Sequence, residues 1–296
     1  MTLNFEKEYR YTGKHPLNLT KRATAPDKPD WDEKRIKARI AKNIKQLTEL
    51  QGKLYAQDRY GVLIIFQAMD AAGKDSMIAH IMSGINPQGC DVTSFKQPSQ
   101  QDLAHDYLWR IHQQVPARGK IGIFNRSYYE DVLVSRVHPE LILNAHIGAI
   151  TDKHQVGDEF FTQRCQDLRF FEHYLQRNGY LVLKFFLHMS KDEQKQRFIR
   201  RIEIPSHNWK FSAADVAERQ YWNDYQRVYD QAISATASKT VPWYVIPADS
   251  KWYSRLCVSE IINQRLRELP LAYPSLDDQA QAQLKRALNA LDHEKH

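Results

Sequence analysis

Gly61-Val-Leu-Ile-Ile-Phe66 runs directly into Gln67-Ala-Met-Asp-Ala-Ala-Gly-Lys-Asp75. The first stretch is short, apolar and rich in β-branched residues, the pattern of a strand covered on both faces in a parallel sheet. The second is a small-residue turn ending in Gly73-Lys74, and Ser76-Met-Ile-Ala-His-Ile-Met82 reads as the start of a helix. Strand, glycine-containing loop, lysine and helix, in that order, describe a phosphate-binding loop. Backbone N–H groups at the helix N-terminus face the phosphate, the helix dipole favours its charge, and the lysine adds a point charge. The loop departs from the strict pattern. Ala68 replaces the first glycine, Asp75 stands where Ser or Thr normally ligates magnesium, and Asp70 lies inside the loop. A plain βα turn with a surface lysine is the bland alternative. Two acids beside an anion cradle make better sense as magnesium ligands, because Mg²⁺ bridges carboxylate to phosphate.

Outward from this stretch, strands and helices alternate. Asp30-Trp-Asp-Glu33 reads as a capping box with Asp30 as N-cap. It opens an amphipathic helix carrying Ile36, Ile40, Ile44, Leu47, Leu50 and Leu54. Further strands are expected at 90–95, 120–124, 181–187 and 243–246. Helices are expected at 102–115, 159–178 (with Gly179 beyond its end), 190 onward, 212–234 and 256–269. That order predicts an α/β fold of three layers, with about five parallel strands between helices. Residues 1–29, with Pro16, Pro26 and Pro29, read as an extended arm. The range 30–270 reads as one domain, and 271–296 as a peripheral helix.

Composition bounds the partners. The 296 residues are 42% hydrophobic and 26% charged, with a net charge of +7 and a pI near 9.1. A basic chain suits a polyanion: nucleic acid, an anionic membrane face or a phosphate-rich substrate. Cys90, Cys165 and Cys257 show neither disulfide nor zinc spacing, which points to a reducing cytoplasm. No apolar run approaches the roughly 20 residues of a membrane helix. The histidines show no metal-ligand spacing.

In parallel α/β sheets, ligands bind beyond the carboxyl ends of the strands. Three polar clusters follow strand ends here: Asp70 to Asp75, Lys96 to Ser99, and Asn125-Arg-Ser-Tyr-Tyr-Glu-Asp131. Arg126 can hold phosphoryl oxygens bidentately. Glu130 and Asp131 can ligate magnesium or hold an acceptor, or simply match a helix dipole. Lys191, Lys195, Arg197, Arg200, Arg201 and Lys210 form a basic segment, expected to be a mobile lid over phosphates at about 190–225.

These motifs together resemble the polyphosphate kinase 2 family. The resemblance rests on 66–75, Ser94-Phe-Lys-Gln-Pro-Ser99, Trp109-Arg-Ile-His112 and Phe124-Asn-Arg-Ser-Tyr-Tyr-Glu-Asp-Val132. Asn208-Trp-Lys-Phe211, Trp222-Asn-Asp-Tyr225, Pro242-Trp243 and Ala248-Asp-Ser-Lys251 also fit. It implies a P-loop kinase-like fold with a lid, and magnesium-dependent, reversible phosphoryl transfer between inorganic polyphosphate and nucleotides. Manganese is the implied substitute metal. It implies that Asp70, Lys74, Arg126, Glu130 and Asp131 are catalytic, with Asp70 and Asp131 on the metal. Phosphate contacts are implied for Ala71, Ala72, Gly73, Lys74, Asp75, Ser76, Arg197, Arg200, Arg201 and Lys210. Nucleotide contacts are implied for Lys96, Gln97, Arg110, Asn125, Arg126, Tyr129 and Glu130. Asn125 with Glu130 is similar to the subgroup accepting both AMP and ADP; other members carry Asp and Asn there. A homo-oligomer, dimer or tetramer, is expected, with no nucleic acid or membrane partner. An ATP-dependent nucleotide or nucleoside kinase of the same fold is the alternative, and would want a loop ending Lys-Ser/Thr. A non-enzymatic polyanion binder would not need acids in the cradle.

Overall fold

A computed structural model describes residues 4–26 and 32–294. The strands are β1 (Arg10–Tyr11), β2 (Gly61–Ala68), β3 (Cys90–Ser94), β4 (Ile121–Asn125), β5 (Tyr180–His188) and β6 (Trp243–Pro247). Their order is β1-β6-β5-β2-β4-β3. The five expected strands are parallel, and β1 adds a sixth, antiparallel to β6 at the edge.

The sheet splits its own apolar residues between two cores, as period-two side chains must. Leu63, Ile65, Phe124, Val182, Phe186 and Trp243 face one core. It is closed by the helices Glu130–Val137, Asp158–Arg177 and Trp222–Thr236. Val62, Ile64, Phe66, Ile123, Leu183 and Phe185 face the other. Glu33–Gln57, Lys74–Ile81 and Lys251–Arg267 close that side. This is the three-layer P-loop kinase-like arrangement. Register places Phe66 opposite both Asn125 and Phe185, so β4, β2 and β5 end on one edge of the sheet, with β2 and β5 running two and three residues past the end of β4.

Several expected elements differ. The N-terminal arm is not extended: it forms a helix (Phe5–Tyr9) and then β1, and buries Phe5, Tyr11, Leu17 and Leu19. The proline signal missed the apolar residues that pull the arm onto the sheet edge. Helix Glu33–Gln57 is capped by Asp32, whose side chain accepts from Lys34 N; Asp30 lies outside the described residues. The expected helix 102–115 is two short pieces, Gln100–Leu103 and Trp109–His112. Between them the Asp106 carboxylate accepts from Leu108 N at 2.9 Å, a local bond that competes with the helical one. Residues 212–234 divide into Ala213–Ala217, a 3₁₀ turn and Trp222–Thr236. The last helix, Asp278–Asp292, has no buried residue. No helix among the described residues is long and apolar enough to cross a membrane.

Candidate active site

The loop after β2 turns on two residues with positive φ, Ala71 at 63° and Gly73 at 95°. A side chain at Gly73 would be strained, and Ala71 holds a left-handed conformation that is uncommon for a non-glycine. Gly73 is the N-cap of helix Lys74–Ile81. The first N–H groups of that helix lack helical partners and are directed at the cradle. Lys74 Nζ folds back and donates to the Ala68 carbonyl at 2.8 Å. Burial lowers the Lys74 pKa, and the neighbouring Asp70 carboxylate opposes that shift.

Arg126 follows β4 with φ 64°, and its N–H donates to the Phe66 carbonyl at 3.2 Å. That bond ties the end of β4 to β2, just before the phosphate loop. Its guanidinium lies 3.2 Å from Asp70 Oδ1. Burial works against charge on Arg126, but the carboxylates of Glu130 and Asp70 outweigh it and raise the pKa. Glu130 shows the converse. Burial raises its pKa, while Arg126, Lys74 and Gln67 pull it back.

Three cavities meet around these residues. One of about 580 Å³ holds the cradle residues Asp70 to Ser76, with Arg200, Arg201 and Lys210 around it. One of about 490 Å³ is lined by Phe95, Lys96, Gln97, Arg110, Glu130 and Asp131. A third, of about 380 Å³, lies between Asp70 and the segment Ala214–Tyr229. Arg126 lines all three.

The structure thus brings together Asp70, Lys74, Arg126 and Glu130, and places Lys96, Gln97 and Arg110 beside them. Arg110 donates to the Lys96 carbonyl at 2.9 Å and lies 5.6 Å over the Phe95 ring. Asn125 reaches toward the cradle, donating to Asp75 Oδ1 at 2.7 Å.

Four expectations change. Tyr129 is fully buried and its hydroxyl donates to Glu172 Oε1 at 2.6 Å, so it anchors the loop from the core and faces no nucleotide. Asp131, expected on a metal with Asp70, lines the 490 Å³ cavity and not the cradle, and pairs with Arg164 at 3.4 Å. Burial pushes its carboxyl up to about 6 against the pull of Arg164 and Arg110. Arg197, expected on the closing face of the lid, is buried beneath the loop and donates to the Ala71, Ala72 and Ala248 carbonyls. Arg200 lines the cradle but is paired with Glu193 at 2.7 Å, and Arg201 lies 3.5 Å from Asp215. The root of the lid helix, Lys191–Glu203, is therefore clamped to the loop it was expected to swing over.

Sequence reasoning also missed supporting residues. Gln194 Nε2 donates to the Asp70 carbonyl at 3.0 Å and itself accepts from Arg219 at 2.8 Å. Gln67 Nε2 donates to Ser127 Oγ at 3.1 Å. Behind the sheet, Lys184 and Glu172 form a buried pair at 2.6 Å, with both Tyr128 and Tyr129 on the same carboxylate. Only the charge in the otherwise apolar run 181–187 could have signalled that pair.

The pattern of the family described as polyphosphate kinase 2 (PPK2) matches residues 30–270. An "ADP-polyphosphate phosphotransferase" of Rhodopseudomonas palustris is 47% identical over 90% of this chain and 92% of its own. An "AMP/ADP-polyphosphate phosphotransferase" of Meiothermus ruber is 45% identical over 78% of this chain and 80% of its own. The crystal structure of polyphosphate kinase 2 from Arthrobacter aurescens TC1 superposes with a TM-score of 0.86. It is 34% identical and covers 96% of each chain. With the cradle, the arginine-bearing loop after β4 and the basic segment on one sheet edge, the chain belongs to the polyphosphate kinase 2 family.

Proposed function

We propose that this site transfers phosphoryl groups reversibly between inorganic polyphosphate and AMP or ADP, and accepts the guanine nucleotides as well. The chain is a phosphotransferase, and one observation carries the substrate assignment. Arg126 lines both the basic cavity over the phosphate loop and the neighbouring cavity with an aromatic wall. A phosphate chain suits the first and a nucleotide the second, which puts their phosphates on either side of one guanidinium. Phosphoryl transfer needs positioning and charge neutralisation more than covalent chemistry. The loop N–H groups and Lys74 hold the donor end, Arg126 steadies the group in flight, and Lys96 and Arg110 orient the acceptor.

The residues fit magnesium in a substrate-bridging role. Asp70 presents a partly exposed carboxylate where the cavities meet. No cluster of three or more His, Cys, Asp or Glu side chains among the described residues would form a metal cage. Mg²⁺ at such sites uses one or two carboxylates plus phosphate oxygens and water. When bound, it would neutralise charge on the transferring phosphate, and manganese would serve in its place. Asp131 lies in the neighbouring cavity with Oδ1 toward Arg164, and its Oδ2 is buried without a hydrogen-bond partner among the described residues.

The exposed Leu284, Leu288 and Leu291 of the last helix support a dimer or tetramer, to be tested by light scattering. The free Cys90, Cys165 and Cys257 suit a reducing cytoplasm.

The test is incubation with magnesium, polyphosphate and each nucleoside mono- or diphosphate. Triphosphate should form, and more slowly at high salt as counterions compete for the basic cavity. Phosphorylation of nucleotides by ATP, with polyphosphate inert, would overturn the proposal.

A further inference from the structure

Asp75 follows the phosphate-loop lysine, and protein groups hold it on both sides. Its Oδ1 accepts from Asn125 Nδ2 at 2.7 Å, and its Oδ2 lies 3.4 Å from Lys210 Nζ. The three residues come from distant parts of the fold. Asp75 is in the first turn of the cradle helix, and Asn125 ends β4. Lys210 ends the 3₁₀ segment Pro205–Lys210 at the tip of the lid. All three line the cavity that holds Gly73 and Lys74. Burial works against charge on Asp75, but Asn125 and Lys210 more than offset it, so its carboxyl sits below the usual range.

Three other cations around the cradle are held by groups away from the approach surface, whereas Lys96 and Lys251 at its rim have no ion-pair partner among the described residues. Lys74 is on the Ala68 carbonyl, Arg200 on Glu193 and Arg201 on Asp215. Lys210 has the Asp75 carboxylate, on the surface the phosphate chain must approach. The pair is largely solvent-exposed, at 37% for Lys210 and 65% for Asp75. An exposed ion pair of this kind holds weakly, so a polyanion can exchange with it. Both carboxylate oxygens face hydrogen-bond donors, which suits Asp75 poorly as a magnesium ligand.

We propose that Asp75 is a stand-in anion: in the free enzyme it holds Lys210, and with it the lid tip, at the cradle, and incoming polyphosphate displaces it and takes over Lys210. Asp75 is then a positioning residue that competes with the donor. The inference rests on polyphosphate being the donor.

Two measurements test it. In the substrate-free protein, Asp75→Asn and Lys210→Gln should each speed amide hydrogen exchange across 205–210 several-fold, and the double variant should go no further. By calorimetry with polyphosphate of defined length, Asp75→Asn should tighten binding several-fold, and that gain should vanish in the Lys210→Gln background. Unchanged exchange at the tip would overturn the proposal. So would an equal gain in both backgrounds, which would mean simple repulsion of the donor. Weaker donor binding, or a raised magnesium requirement, in Asp75→Asn would overturn it in favour of a metal ligand. A wild-type protein that binds no polyphosphate would instead fail at the donor assignment itself.

Discussion

Arg197 Nη1 donates to the carbonyl oxygens of Ala72 at 2.7 Å and Ala71 at 3.3 Å, from a helix that begins more than a hundred residues after the phosphate loop. Its Nη2 donates to the Ala248 carbonyl at 2.5 Å, and its Nε pairs with Glu193 at 2.7 Å. With those carbonyls turned inward, the free N–H groups at the start of helix Lys74–Ile81 are left to face phosphate.

Arg197→Ala should therefore act through stability. It leaves buried carbonyls unsatisfied and Glu193 without this partner, a loss on the order of 3 kcal/mol for one member of a buried pair. A lowered Tm and a lower kcat are expected. Arg197→Lys should recover part of both, because it keeps the charge but not the planar fork. A raised KM for polyphosphate at unchanged Tm would mean that Arg197 contacts the donor.

On the proposed mechanism, Lys74→Ala and Asp70→Asn remove charge matched to the transfer transition state. Each should cost on the order of 3–4 kcal/mol, or about a hundred- to a thousandfold in kcat. Circular dichroism should show both folded. Near-normal turnover in both would move the chemistry elsewhere.

Glu130 lines the 490 Å³ cavity, proposed to take the acceptor, and the 380 Å³ space toward Asp70. AMP is one phosphate shorter than ADP, so its reacting oxygen must reach further toward the donor. A carboxylate there can hold a cation or water in the space of the missing phosphate. ATP should form from AMP in two steps through ADP. Glu130→Gln, which keeps size and removes charge, should cut kcat/KM for AMP much more than for ADP. An unchanged ratio would remove Glu130 from acceptor selection.

His188 ends β5 and is 4% exposed. Burial lowers its pKa, against the carbonyls of Arg22 and Leu19 and the charge of Asp249. The fold thus disfavours its protonation, while the unfolded chain takes a proton below about pH 6.5. The stability tied to this group is present above that pH and is lost as pH falls through the lower folded pKa. The Tm of wild type should fall relative to His188→Gln between pH 7 and pH 5. Parallel curves would show that His188 does not titrate differently in the two states.

What the chain determines by itself is local. The apolar run 61–66 is a strand at any sheet centre, because every face of it must be buried. The turn 67–75 is a cradle because small residues and Gly73 permit its φ angles. The alternation of such units compels a parallel sheet, and with it the edge where ligands gather. Asp70, Lys74, Arg126 and Glu130 stand out in the sequence for that reason: each lies in the loop or at the helix start that follows a strand end.

Tertiary structure decided the partners. Tyr129 lies between Arg126 and Glu130 in sequence but turns inward, because Glu172 and Lys184 wait in the core for its hydroxyl. Arg197 and Arg201 share a helix face, yet one is buried under the loop and the other pairs with Asp215, because the helix packs against the loop along only part of its length. The N-terminal arm reads as polar and proline-broken, but β6 offers an open edge and β1 takes it. A side chain's charge is written in the sequence. Whether it meets a substrate, a carbonyl or a counter-ion depends on chain segments far away, and only packing brings those together.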